Sequence, residues 1–288
     1  MKLARFAVDG KTAIGAVDAE KGTVQALATD ETDMVRIVEA HARPDRTLKA
    51  AGPVRPLADV AILAPMHAPR RNIICVGKNY REHAVEFARS GFEAGAVAGA
   101  EVDAYPAVFS KPASTICAAT DPVSLHPEAT SAVDYEGELA FVIGKRGKNI
   151  RKEDAYAHVW GYVAVNDVTA RDRQKNHKQW FLGKALDGFC PMGPWIATAD
   201  EVDPENLSLK TWVNGELRQN ANTRDLLFDI PTLIATISSG LTLEPGDIVA
   251  TGTPVGVGIG MKPPVFLKPG DVVTIEISGL GRLNNRFR

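Results

Sequence analysis

The chain has 288 residues, 45% of them hydrophobic and 24% charged, a composition that excludes a disordered, collagen-like or disulfide-stapled protein. Its 33 Lys and Arg against 35 Asp and Glu give a formal net charge of −2, so no basic field exists to gather nucleic acid or anionic lipid. The length exceeds the roughly 100–150 residues of a common domain, which predicts either one large β-rich unit or a small domain joined to a larger one.

The opening MKLARFAVDG carries Lys2, Arg5 and Asp9. It lacks the unbroken apolar centre of a secretory leader, and no apolar run reaches membrane-spanning length. The expectation is a cytoplasmic protein with no membrane or nucleic-acid partner. Cys75, Cys117 and Cys190 are scattered and odd in number, which fits buried reduced thiols better than a disulfide framework or a zinc cluster.

Residues 1–60 alternate short apolar stretches with the turns Asp9-Gly10 and Lys21-Gly22, then place Met34, Val35, Ile37 and Val38 at helical spacing. This predicts a small α+β domain. From Arg46 to Pro69, Pro53, Pro56, Pro65 and Pro69 interrupt any continuous element, so the stretch reads as a connector. The predicted domains are therefore 1–69 and 70–288.

Beyond Arg71, β-branched runs recur at Asn72–Val76, Ala107–Ser110, Gly137–Ile143, Tyr162–Val165, Leu209–Val213, Asp247–Thr251 and Val272–Ile277. The clearest helical period is Ile230–Ser239. The pattern predicts an α+β, mostly β protein whose larger domain is a largely antiparallel roll or sandwich rather than a doubly wound sheet.

Within Asn79-Tyr80-Arg81-Glu82-His83-Ala84-Val85-Glu86, His83 and Glu86 stand three apart. On one helical turn the carboxylate would fix the imidazole's tautomer and support its cation. A surface histidine on an exposed turn fits the same residues. The glycine-dotted segment 84–105 is longer than the roughly 12 residues usual for a structureless loop, which suits an active-site lid or, equally, a surface insertion.

Val133-Asp134-Tyr135-Glu136-Gly137-Glu138 leads into an apolar strand run. Residues two apart in a strand project to one face about 7 Å apart, so Glu136 and Glu138 would converge on one cation, with Asp167 following the next strand. Three carboxylates suit Mg²⁺ or Mn²⁺ rather than zinc. The alternative is a solvated edge-strand face. Arg171 and Gln174 offer a guanidinium fork and an amide donor, or a charged surface helix. Lys184 sits in a turn-rich stretch where lysines are usually solvated. Thr251-Gly252-Thr253-Pro254-Val255-Gly256-Val257-Gly258 offers hydroxyls and backbone N–H groups to a carboxylate; it has neither the phosphate-loop nor the dinucleotide spacing.

Taken together, these motifs resemble the fumarylacetoacetate hydrolase superfamily from about Arg71 to the C-terminus. The resemblance rests on Asn79-Tyr80 with His83, Ser110-Lys111-Pro112, Asp134 to Ala140, Asn166 to Asp172, Gly183-Lys184 with Cys190 to Pro194, and Thr251 to Gly258. Tyr135 stands where many relatives have tryptophan, and Gly137 replaces a bulkier residue. The resemblance implies a mixed β-sandwich roll with a small N-terminal domain, and usually a homodimer. It implies Mg²⁺ or Mn²⁺ on Glu136, Glu138 and Asp167, and a water-activating dyad of His83 and Glu86 on a short lid helix. It also implies Lys184 and Gln174 as catalytic groups stabilising negative charge, with Tyr80, Lys111, Arg171 and Thr253 about the substrate, a small 2-keto or 2,4-diketo acid. The expected reaction is metal-dependent cleavage of a C–C bond in an acylpyruvate to pyruvate and a carboxylic acid. Decarboxylation of oxaloacetate-like acids, isomerisation of hydroxymuconate-type acids, and dehydration or hydrolysis of sugar-derived 2-keto acids need the same electron sink. A non-catalytic ligand-binding protein on the same fold is the alternative of a different class.

Overall fold

The computed structural model of the protein describes residues 1–41, 48–92 and 103–288. Strands β1 (Lys2–Val8) and β2 (Lys11–Asp18) pair antiparallel through the two-residue turn Asp9-Gly10. Both turn residues have positive φ, 51° and 73°, the backbone twist that suits a tight hairpin. β3 (Thr23–Leu27) follows, then α1 (Met34–Ala40), capped by the Asp33 carboxylate on Val35 N–H at 2.9 Å. α1 buries Met34, Val35, Ile37 and Val38, the stripe that the spacing predicts.

The proline-rich stretch departs from expectation. Residues Ala50–Pro56 form β4 on β3, and Ala61–Leu63 form β5 on β1. β4 tolerates Pro53 and Pro56 because it is the outermost strand of its sheet, where one row of backbone donors has no ladder partner.

The remaining elements are β6 (Ile73–Gly77), α2 (Arg81–Arg89), β7 (Ala107–Lys111), β8 (Ile116–Ala118), β9 (Val133–Asp134), β10 (Gly137–Ile143), β11 (Val159–Asn166), β12 (Thr169–Ala170), α3 (Arg171–Asn176), α4 (Phe181–Lys184), β13 (Cys190–Thr198), β14 (Ser208–Val213), β15 (Glu216–Asn222), α5 (Ile230–Ser238), β16 (Ile248–Ala250), β17 (Val272–Ile277) and β18 (Gly281–Arg286). Among the described residues one mixed sheet of twelve strands runs β4-β3-β2-β1-β13-β11-β10-β16-β6-β7, with β5 on β1 and β8 on β13. A second sheet, β15-β14-β17-β18, is antiparallel throughout. The architecture is mostly β with a mixed main sheet, as the sequence predicts.

β10 and β11 lie at the centre and are buried along their whole length, which is why GELAFVI reads as one apolar run rather than an alternation. Leu139, Phe141 and Ile143 pack with Leu209, Ile275 and Ile277 of the second sheet. Ala140 and Val142 face the other way, into a cluster shared with Leu3, Ile14 and α1. β1 pairs with β13 at Lys2↔Ala197 and Leu3↔Ile196, so the N-terminal strands continue the main sheet and share its core.

Candidate active site

Strand register assembles the carboxylates. Gly137 opposes Asn166 across β10 and β11, and the next pair outward is Glu136 and Asp167, joined by Asp167 N–H donating to Glu136 O at 2.8 Å. Glu138 shares the Glu136 side by strand alternation. Donor oxygens of Glu136, Glu138 and Asp167 lie within 4.8 Å of one another, all three residues buried. Asn166 Oδ1 accepts Glu136 N–H at 3.0 Å and locks the turn out of the strand.

Cations surround this cluster. Lys184 Nζ stands 2.7 Å from Glu136 Oε2 and 2.6 Å from Asp167 Oδ2. Arg171 Nη2 lies 2.6 Å from Glu136 Oε1, and its Nε donates to Asp134 Oδ2 at 2.9 Å. Lys111 Nζ lies 2.7 Å from Asp167 Oδ1 and donates to Val168 O at 3.0 Å. Burial opposes the charge on Glu136, but Lys184 and Arg171 outweigh it and hold its carboxyl well below the usual range. Glu138 goes the other way: burial, then the charges of Asp167 and Glu136, push it well above its ordinary value. Removing Arg171 would take the guanidinium from Asp134 and one of the cations from Glu136, which keeps Lys184.

The donor set fits a divalent cation. Asp134, Glu136, Glu138 and Asp167 set four carboxylates against the three cations Lys111, Arg171 and Lys184, leaving one formal negative charge. Glu138 accepts Gly252 N–H at 2.9 Å, and among the described residues no well-directed donor reaches Asp167 Oδ1 despite its nearby ammonium. Three all-oxygen ligands with lone pairs left over are what a hard cation takes.

Above the carboxylates, α2 buries His83, Ala84 and Phe87, a single helical stripe. His83 Nδ1 meets Glu86 Oε2 at 3.0 Å, and Glu86 Oε1 accepts Gly256 N–H at 3.1 Å. A Cβ at Gly260 would run into Glu86 Oε1, so the helix docks there against bare backbone. Phe87 packs with Val257, Ile259 and Trp180.

A cavity of about 20 Å³ lies between roof and carboxylates, bounded by His83, Glu136, Glu138, Arg171, Gln174 and Thr253, with Lys78, Lys184, Phe109 and Trp180 at its sides. Gln174 Oε1 accepts from Arg171 Nη1 at 3.1 Å. Thr253 Oγ1 donates to Gly137 O at 3.0 Å and accepts from Gln219 Nε2 at 2.8 Å. Lys111 is brought behind the carboxylates rather than into the pocket. Tyr80 borders a neighbouring cavity with Arg81 and Pro254, its buried hydroxyl having no hydrogen-bond partner among the described residues. Lys184, expected in solvated surroundings, is 2% exposed. The predicted lid segment 84–105 divides: its first residues belong to α2, while 93–102 lie outside the described residues.

Sequence reasoning assigned no role to Asp134, Gln219 or Lys78. Asp134 accepts four hydrogen bonds, from Arg171 Nε and the N–H groups of Tyr135, Gly258 and Ile259, and ties the glycine turn under the roof to the Arg171 guanidinium that holds Glu136. Its signal was its place two residues before the acid pair. Gln219, in a strand of polar residues, gave none.

The family described as "Fumarylacetoacetate (FAA) hydrolase C-terminal" matches residues 72–288, and the one described as "Rv2993c-like, N-terminal" matches residues 1–65. An oxaloacetate tautomerase of Bacillus subtilis, YisK, is 52% identical over 232 residues, 80% of this chain and 74% of the relative. A solved fumarylacetoacetate hydrolase of Exiguobacterium antarcticum superposes with TM-score 0.86 at 42% identity, covering 100% of this chain and 99% of that one. A 2-hydroxyhepta-2,4-diene-1,7-dioate isomerase of Mycobacterium marinum superposes with TM-score 0.79 at 36% identity, over 100% and 98%.

Proposed function

The chain is an enzyme of the fumarylacetoacetate hydrolase family, and on that premise we propose that it interconverts the keto and enol forms of a small 2-keto dicarboxylic acid of the oxaloacetate type, using Mg²⁺ or Mn²⁺ on Glu136, Glu138 and Asp167. The observation that carries the reading is that one imidazole acid–base group and the carboxylate cluster face each other across a single cavity of only about 20 Å³, which favours a small substrate over a long one. Phe109 and Trp180, ring centroids 5.3 Å apart, wall off space that a long acyl chain would need. The similar proteins include an oxaloacetate tautomerase and a 2-hydroxyhepta-2,4-diene-1,7-dioate isomerase, which supports an isomerisation of this kind.

When bound, the cation would polarise the 2-keto carboxylate and lower the cost of enolate charge. The chain supplies the rest. Glu86 on Nδ1 leaves Nε2 of His83 as the working nitrogen. It takes the proton from C3, the C3–H pair becomes the C2–C3 π bond, the carbonyl π pair moves onto the C2 oxygen, and the imidazolium returns the proton to that oxygen; the reverse passage regenerates the ketone. Lys184 and Gln174 stabilise the developing oxyanion. Arg171 and Thr253 orient the acid, while Lys111 holds Asp167 from behind. Tyr80, beside the entrance of α2, is assigned to the substrate's approach.

A second reading keeps the site and changes the reaction. The same dyad suits water activation, and the full-length likeness to a hydrolase supports cleavage of an acylpyruvate to pyruvate and an acid. The test is C3-proton exchange of oxaloacetate in D₂O by NMR with Mg²⁺ and with EDTA, run beside acetylpyruvate. Metal-dependent exchange without pyruvate release is expected; pyruvate plus acetate from acetylpyruvate, with exchange unaccelerated, would replace tautomerisation by hydrolysis. The proposal extends to a homodimer in the cytoplasm, checked by light scattering and fractionation, and to a division near residue 70, checked by limited proteolysis.

A further inference from the structure

We infer that Lys78 is the specificity-determining residue that receives the second carboxylate of the substrate, with Asp103 as the counter-ion that the substrate displaces; this rests on the dicarboxylate reading above. Among the described residues the pocket is bounded by three lysine or arginine side chains, Lys78, Arg171 and Lys184. Arg171 and Lys184 both stand on Glu136, so their charge belongs to the end where the metal ligands converge. Lys78 has a partner outside that cluster. Its ammonium is 2.8 Å from Asp103, with side-chain exposures of 4% for the lysine and 25% for the aspartate. Asp103 is not part of the pocket wall. A buried cation facing a small anion site, neutralised by a partly solvated carboxylate from outside it, is a pair built to exchange partners.

The sheet gives the spacing. β16 lies between β10 and β6, so the Glu138 strand and the strand ending at Gly77 are two spacings apart, roughly 9–10 Å. Gly252 fills the interval: its N–H donates to Glu138 Oε2 at 2.9 Å, and a Cβ there would meet Asn79 Cβ at 2.8 Å and Val76 O at 3.0 Å. The substrate would lie along that interval, one carboxylate at the metal ligands and the other at Lys78. Lys78 itself has φ 53°, a left-handed backbone that residues with a Cβ rarely adopt. That turn points to a position held for its side chain rather than for its chain direction.

The test is calorimetric titration of the Mg²⁺-loaded full chain with oxaloacetate and with pyruvate, which lacks the second carboxylate. Lys78→Met is expected to weaken oxaloacetate binding about ten-fold or more, the size of a lost charge-assisted contact, and pyruvate by less than about two-fold. Lys78→Arg should restore most of the difference, and Asp103→Asn should leave oxaloacetate binding intact or tighter. Equal losses for both ligands, no loss, or an Asp103→Asn defect matching that of Lys78→Met would overturn the assignment and leave the pair a structural latch. Wild-type preference for oxaloacetate without any C3 exchange would sink the tautomerase reading and leave this one standing.

Discussion

The carboxylate cluster and the helix above it are held in different ways. Glu136, Glu138 and Asp167 extend two central strands buried on both faces, and Lys184, Arg171 and Lys111 grip them from three elements. His83 and Glu86 ride on a nine-residue helix whose anchors are Gly256 N–H, bare backbone at Gly260 and a small cluster around Phe87. A short helix has little stability of its own, so the roof depends on its docking. Metal loading and proton transfer should therefore be separable by mutation.

The largest break is expected from Glu138→Ala, which should abolish Mn²⁺ binding in titration calorimetry and cut turnover by at least about 10³-fold; retained metal affinity would remove Glu138 from the ligand set. His83→Ala should lower kcat by roughly 10²–10⁴-fold while Mn²⁺ affinity stays within about two-fold, and a parallel loss of metal would mean that roof and carboxylates are not independent. Gly260→Ala should push Glu86 off its seat, lowering kcat about ten-fold and speeding amide exchange in residues 81–89 with metal affinity unchanged. Unaltered exchange there would refute the docking role of the glycine. The least effect is expected at the exposed Arg70–Glu39 pair, 2.6 Å apart: Arg70→Ala should leave both turnover and Tm unchanged, as solvated ion pairs generally do.

The same contrast explains what the sequence made legible. β10, β11, β14 and β17 announce themselves because burial and β-branching coincide, and the acid pair at 136 and 138 stands out against that apolar run. β13 was hidden by Pro191, Gly193 and Pro194, and β15 by the polar string ELRQNAN; their extended form comes from neighbouring strands rather than from their own residues. Lys184 looked like a solvated turn residue because nothing local records that the carboxylates come from other segments, 17 and 48 positions away in the chain. The pairing of Lys78 with Asp103 is likewise non-local. Spacing proposed the His83–Glu86 contact at 3.0 Å, whereas its seat on residues 256 and 260 required the folded chain.

The joining of β1 to the edge of β13 bears on how the molecule would be engineered. Thr198 N–H donates to Met1 O at 2.8 Å, and Trp160 Nε1–H to His41 O at 2.8 Å, so the first strands and helix cap both a ladder edge and part of the apolar face beneath it. A fragment trimmed to residues 72–288 would bare that edge, a template on which copies could stack. The catalytic part is thus not a portable module: grafted alone onto another scaffold, it would trade solubility for self-association.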